Sequence, residues 1–154
     1  MKTPVQKVSV DNFSVYGKVV QGTAGKATSQ DETYKFWSDI ANYEIDGRTE
    51  IGLCKVYRQE VQQVSGIERH LRTPEILIPV DAPFVLPVLK SENPDDGIDA
   101  FHVDIGQAVV IDPGIWHGPC LPAEAEKATY FVIFRHKTPH DDVETAQIEP
   151  VRIE

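Results

Sequence analysis

Along this chain, apolar and polar residues alternate in short runs that end at glycine, proline or aspartate turns, a pattern that predicts many short strands rather than helices. The clearest run is Thr49 to Arg58, introduced by the turn signal Asp46-Gly47; Ile51, Leu53, Lys55 and Tyr57 fall on one face, and Gly52, Cys54, Val56 and Arg58 on the other. Both faces are partly apolar, as in a sheet packed against a second sheet. Further strands are predicted at Lys18 to Gln21, Ile67 to His70, Glu75 to Val80, Phe84 to Lys90, Ala100 to Asp104, Gln107 to Ile111 and Thr129 to Arg135. Prolines cluster at the ends of these runs, whereas Pro87 lies inside one and is expected at an edge or bulge. One short helix, capped by Ser9 and ending at Tyr16 before Gly17, is predicted from Val10, Phe13 and Val15. The small, polar stretch Gly22 to Glu32 is expected to be a mobile loop. His136 and His140, beyond the last strong strand, read as part of an exposed tail.

With nearly all order in strands, the choice lies between a sandwich and a barrel of two packed antiparallel sheets. At 154 residues the chain fits one domain, 1–154, with one active cavity. No heptad, low-complexity segment or fixed-period repeat interrupts it.

Charge narrows the range of partners. Lys and Arg number 15 against 24 Asp and Glu, a net charge of −9 with no basic run, which argues against nucleic acid. A small anionic substrate would have to meet a local cation or a metal, because the overall field opposes it. No run is long and apolar enough for a membrane span, and Met1 to Val10 lacks the apolar stretch of a signal peptide. Cys54 and Cys120, the only cysteines, suggest neither a disulfide framework nor a cysteine zinc site, so a cytoplasmic setting is expected.

The segment richest in chemistry is Gly106 to His117, GQAVVIDPGIWH. Gly106, Gly114 and His117 match the second cupin motif, G-x5-P-x-G-x2-H, although Asp112 takes the proline position and Pro113 follows one residue later. Upstream, Glu68-Arg69-His70 followed by Glu75 parallels the first cupin motif, H-x-H-x3-4-E, with Glu68 in place of the first histidine and without the flanking glycines. On an extended strand Glu68 and His70 share a face, and Arg69 points away toward a second sheet or an interface. Glu68, His70, Glu75 and His117 are therefore candidate ligands of one divalent ion. Mixed nitrogen and oxygen donors suit nickel, zinc, manganese or iron without choosing among them. The alternative is a hydrogen-bonded strand histidine beside solvated carboxylates. No organic cofactor is indicated. Arg58, Lys90 and Arg135, each also an ordinary strand-end cation, are candidate contacts for a substrate carboxylate, and Trp116 is a candidate cavity wall. His102 reads as a surface residue.

Over nearly its whole length the chain resembles the ureidoglycolate lyases: in Phe13-x-x-Tyr16-Gly17-x-Val19-Val20, in Glu68-Arg69-His70 with Ile78-Pro79, and in Gly114-Ile115-Trp116-His117-Gly118-Pro119. The resemblance implies an all-β, cupin-type double-stranded β-helix (a jelly-roll barrel) with minor helical segments. It also implies release of urea from ureidoglycolate to leave glyoxylate, within purine-nitrogen or allantoin catabolism. His70, His117 and Glu75 become candidate acid/base groups. The chain departs from the family at Asp95-Asp96-Gly97-Ile98, where a Pro-Asp-Leu-type segment is usual, and at Tyr130, where an acidic residue is usual; Tyr130 is counted among the substrate contacts. A cupin that binds a small acid without turnover, or another metal-dependent enzyme such as a sugar isomerase or oxygenase, fits the same scaffold. Apolar strands with few edge-blocking devices predict a homodimer.

Overall fold

The computed structural model describes residues 1–22 and 25–154. In chain order the strands and helices are β1 (Lys2–Thr3), β2 (Val5–Lys7), α1 (Val10–Phe13), β3 (Gly17–Val20), β4 (Ser29–Gln30), β5 (Lys35–Phe36), β6 (Thr49–Tyr57), β7 (Gln63–Arg69), β8 (Glu75–Pro79) and β9 (Phe84–Leu89). They continue with β10 (Ile98–Val103), β11 (Ala108–Ile111), β12 (Leu121–Pro122), β13 (Lys127–Arg135), α2 (Thr138–Asp141) and β14 (Glu144–Ile153). A five-stranded sheet, β3-β11-β8-β13-β6, packs against a four-stranded sheet, β12-β9-β10-β2, and β1-β14-β7 continues the second layer. The expected all-β barrel is what forms.

The periodicity of β9 explains how the layers are held. All six of its side chains are buried. Phe84, Leu86 and Val88 face the five-stranded sheet with Phe101, Val103 and Leu77, whereas Val85 and Leu89 face the other way, with Ile98, Val64 and Val151. One strand thus serves two cores, each large side chain contributing on the order of 1.5–3 kcal/mol by burial.

Several expectations change. The parallel pairs β2–β10 and β1–β14 break the antiparallel rule; the chain reaches these positions through long connections, so no hairpin dictates the direction. Pro87 is interior to β9 rather than at an edge: it lies opposite Ala100, and its carbonyl accepts from Gly118 N–H at 2.9 Å. Its missing donor faces the irregular segment 116–118, not the regular β10 ladder. The first helix is a turn shorter than expected, though Ser9 does cap it, in a reciprocal capping box with Asn12. The expected loop Gly22 to Glu32 contains β4, paired with β5; residues 23 and 24 lie outside the described residues. The expected tail is also structured. His136 and His140 flank or lie in α2, and β14 pairs with β7 along most of its length.

Candidate active site

The site begins at the corner after β11. Gly114 takes a left-handed φ of 84°, open to glycine without strain, and donates its N–H to the His70 carbonyl at 2.7 Å. The chain then runs as a short strand between β7 and β9. Glu68 and His117 exchange backbone hydrogen bonds, both at 2.9 Å, while Leu89 N–H donates to Trp116 O. Gly118 completes the approach: a Cβ there would stand 2.8 Å from the buried Val64 Cγ1. This packing turns the His117 ring to the same side as Glu68 and His70, where Glu75, the first residue of β8, also points.

Four predicted ligands are brought together. His117 Nε2 lies 2.8 Å from Glu75 Oε2 and 3.8 Å from Glu68 Oε1. His70 Nε2 lies 3.4 Å from Glu75 Oε2 and 4.0 Å from Glu68 Oε1. His70, His117 and Glu75 are buried, whereas the Glu68 side chain is 46% exposed. Each ring is fixed from behind: His70 Nδ1 is 2.7 Å from the Asp142 carbonyl and His117 Nδ1 is 3.1 Å from the Ile115 carbonyl. A carbonyl only accepts, so both Nδ1 atoms carry protons, and each ring, when neutral, turns its Nε2 lone pair inward.

That arrangement leaves charge uncompensated. Neither Nε2 atom nor Glu75 Oε2 has an aligned hydrogen-bond partner, so the 2.8 Å approach is one of proximity without a linear N–H···O bond. Burial disfavours a charged ring at His117, yet the Glu75 carboxylate outweighs it and raises the His117 pKa. The same opposition acts at His70, where burial is overcome by Glu75, the Asp142 carbonyl and Glu68. Burial alone would raise Glu75, but His117 and then His70 pull it down to about 2. The cluster thus attracts positive charge, which an added proton or a metal ion can supply. Ligand atoms of Glu68, His70 and His117 all lie within 4.8 Å of one another, and the orphaned buried nitrogens fit a divalent cation.

A groove of about 380 Å³ along the paired strands β7 and β14 opens onto Glu68 and His117, lined also by Gln63, Ser65, Gly66 and Gln147. Among the described residues, no Lys or Arg lines it. Arg58 donates instead to the carbonyls of Pro122 and Ala123, and Lys90 pairs with Asp99 at 3.5 Å. Arg135 donates to the Asp46 carbonyl. Trp116 flanks His117 but turns to the outer face, donating to Glu92 at 3.3 Å with the Arg69 guanidinium 4.6 Å above its ring. Arg69 points outward as expected, to Glu92 and Glu144. Tyr130 is buried in the barrel core with its ring 5.1 Å from Phe84; burial and the neighbouring Cys120 and Cys54 thiols push its hydroxyl pKa up, so it stays protonated. His102 sits between Asp104 and Glu124. Asp142, which nothing in the sequence pattern singles out, is a further residue that touches the cluster, through its carbonyl on His70 Nδ1.

The ureidoglycolate lyase family model matches residues 1–154. The chain belongs to the ureidoglycolate lyase family, an enzyme family. No curated protein matches it. Among solved structures it is similar to peruvianin-I, a cysteine peptidase from Thevetia peruviana latex, with a TM-score of 0.50 and 12% identity over 66% of this chain and 57% of that one. Bacillus subtilis oxalate decarboxylase, described for its Mn(II) centres, is found with a TM-score of 0.48 and 14% identity over 66% of this chain and 24% of that one. The chain therefore spans little over half of the first protein and a quarter of the second, and the likeness to peruvianin-I is one of fold. This ureidoglycolate lyase family member has the cupin-type barrel that its sequence implied. No helix among its described residues is long and apolar enough to cross a membrane.

Proposed function

We propose that this chain releases urea from ureidoglycolate at the groove edge formed by Glu68 and His117, with His70 and Glu75 completing the site behind them. The observation that carries this reading is the pair of buried, inward-facing Nε2 atoms without aligned partners beside two carboxylates. Ureidoglycolate holds a hydroxyl and a ureido nitrogen on one carbon. Loss of the hydroxyl proton lets the C=O form, the C–N bond breaks with its electron pair going to nitrogen, and a proton delivered there completes urea and leaves glyoxylate. One acid/base pair suffices.

Glu68, His70 and His117 would hold a divalent ion, with nickel, zinc, manganese and iron the candidates. Bound there, the ion would supply Lewis-acid polarisation to the substrate hydroxyl and carboxylate. The groove's lack of Lys and Arg supports this assignment, because an anionic substrate approaching a chain of net charge −9 finds no side-chain cation there. Glu75, held at about 2, stays ionised near neutral pH and anchors positive charge instead of exchanging protons. Glu68, the half-exposed member, turns Oε1 toward the imidazoles and can take the hydroxyl proton on its other oxygen and return it to the departing nitrogen. The buried rings keep water from competing on the inner side.

As partner we propose a second copy of the chain. β6 is the edge of the five-stranded sheet, and Ile51 and Leu53 on its outer face are exposed beside Phe131, which pairs with Leu53. A reducing cytoplasm suits the free thiols Cys54 and Cys120. The test of the function is direct: urea released by the purified chain, supplied with each metal in turn. Tight binding of glyoxylate with no urea from any metal form would favour the binding-module alternative.

A further inference from the structure

Asp142 caps the C-terminal end of α2, its N–H donating to Thr138 O at 3.0 Å, and it is buried. It then makes three bonds to one short stretch of the chain. Oδ1 accepts from Leu71 N–H at 3.0 Å, Oδ2 accepts from Arg72 N–H at 2.9 Å, and the main-chain carbonyl faces His70 Nδ1 at 2.7 Å. The His70 carbonyl is meanwhile held by Gly114 N–H at 2.7 Å, on the turn that leads to His117. His70 is therefore clamped by its backbone to one arm of the site and by its ring to the α2–β14 junction.

The clamp has a chemical consequence. A neutral imidazole side chain free in water favours the tautomer protonated at Nε2, which would point a proton into the cluster and leave no lone pair there. Opposite a carbonyl, Nδ1 must be the donor, so the lone pair goes to Nε2, facing Glu75 and Glu68. The carbonyl holds that place because the carboxylate of the same residue is bound to the two peptides following His70. A buried carboxylate is costly unless fully bonded, and two backbone N–H groups meet that need.

We propose that Asp142 is a positioning residue that sets the His70 tautomer: its carboxylate grips the Leu71–Arg72 peptides so that its own carbonyl receives His70 Nδ1–H, leaving Nε2 available to a ligand. The inference rests on the reading that His70 Nε2 serves the site, but its test does not require activity. Long-range proton–nitrogen NMR of the metal-free protein, at a pH where the rings are neutral, reads the tautomer of each histidine, and calorimetric titration with Zn(II) reads affinity.

In the wild type His70 shows the Nδ1–H pattern. In Asp142→Ala it shifts to a mixed or Nε2–H pattern, Zn(II) affinity falls on the order of 10- to 100-fold, and His117 keeps its tautomer. Asp142→Asn, nearly the same size, retains one acceptor and lies between; it stands in should the alanine variant fail to fold. The proposal is overturned if both variants lose thermal stability while His70 keeps the Nδ1–H pattern and Zn(II) affinity stays within about twofold. A wild type that releases no urea, with the tautomer shift still seen in the variants, would sink the proposed function and leave the Asp142 role standing.

Discussion

Glu68 and His117 are direct cross-strand neighbours: each donates its peptide N–H to the other's carbonyl at 2.9 Å, and their side chains emerge on one face with Oε1 and Nε2 3.8 Å apart. The backbone pair holds whatever the Glu68 side chain becomes. Glu68→Gln should therefore fold normally, with a thermal midpoint close to wild type, since the side chain is half-exposed. Its charge and one carboxylate oxygen are lost from the ligand group, so Zn(II) affinity measured by calorimetry should fall at least tenfold. Unchanged affinity would remove Glu68 from the ligand set.

The stability of the metal-free protein should be bell-shaped in pH. Glu75, lowered from 4.5 to about 2, contributes stability that is present above 4.5 and lost as pH falls through about 2. His70 and His117, raised above 6.5, contribute stability that is full below 6.5 and lost as pH rises through their folded-state values. Both limbs report the same imidazole–carboxylate interaction and are counted once. Glu75→Gln should flatten both limbs in urea-denaturation midpoints taken across pH; a variant that keeps the alkaline fall would show that Glu75 is not what holds the histidine protons.

How far the sequence carried the fold and the site follows from what kind of force fixes each part. Phe84 to Leu89 and Glu75 to Pro79 were legible because burial demands apolar residues and leaves a continuous signal. β14 was not: of its residues Glu144 to Ile153 only Val151 and Ile153 are buried, and Pro150 interrupts the pattern, so the apolar signal is too sparse to read although these two residues join the second core and the strand pairs with β7. β1 and β2, two and three residues long, are too short for any period to show. At the site, Glu68, His70, Glu75 and His117 were recognisable from side-chain type and spacing. Asp142 was not, because the atom that meets His70 is a backbone carbonyl, which every residue has. Charge alone makes Arg58 and Lys90 candidate carboxylate contacts; the structure engages them with carbonyls and with Asp99.

The proposed second copy would dock on the β6 edge. Leu53→Lys puts a charge at the centre of the exposed apolar face, opposite Phe131, without entering either core. Sedimentation at micromolar concentration should show a dimer for the wild type and a monomer for the variant, with the fold of each intact by circular dichroism. A wild-type monomer, or a dimer that the lysine leaves unchanged, would contradict this interface.

The most direct test of the central claim is urea release from ureidoglycolate by the wild type and by His117→Ala, each supplied with nickel, zinc, manganese or iron. The expected result is turnover by the wild type with at least one metal and a loss on the order of a hundredfold or more in His117→Ala, in a variant whose circular dichroism still shows the barrel. Turnover in His117→Ala equal to that of the wild type, or no urea from the wild type with any of the four metals, would contradict it.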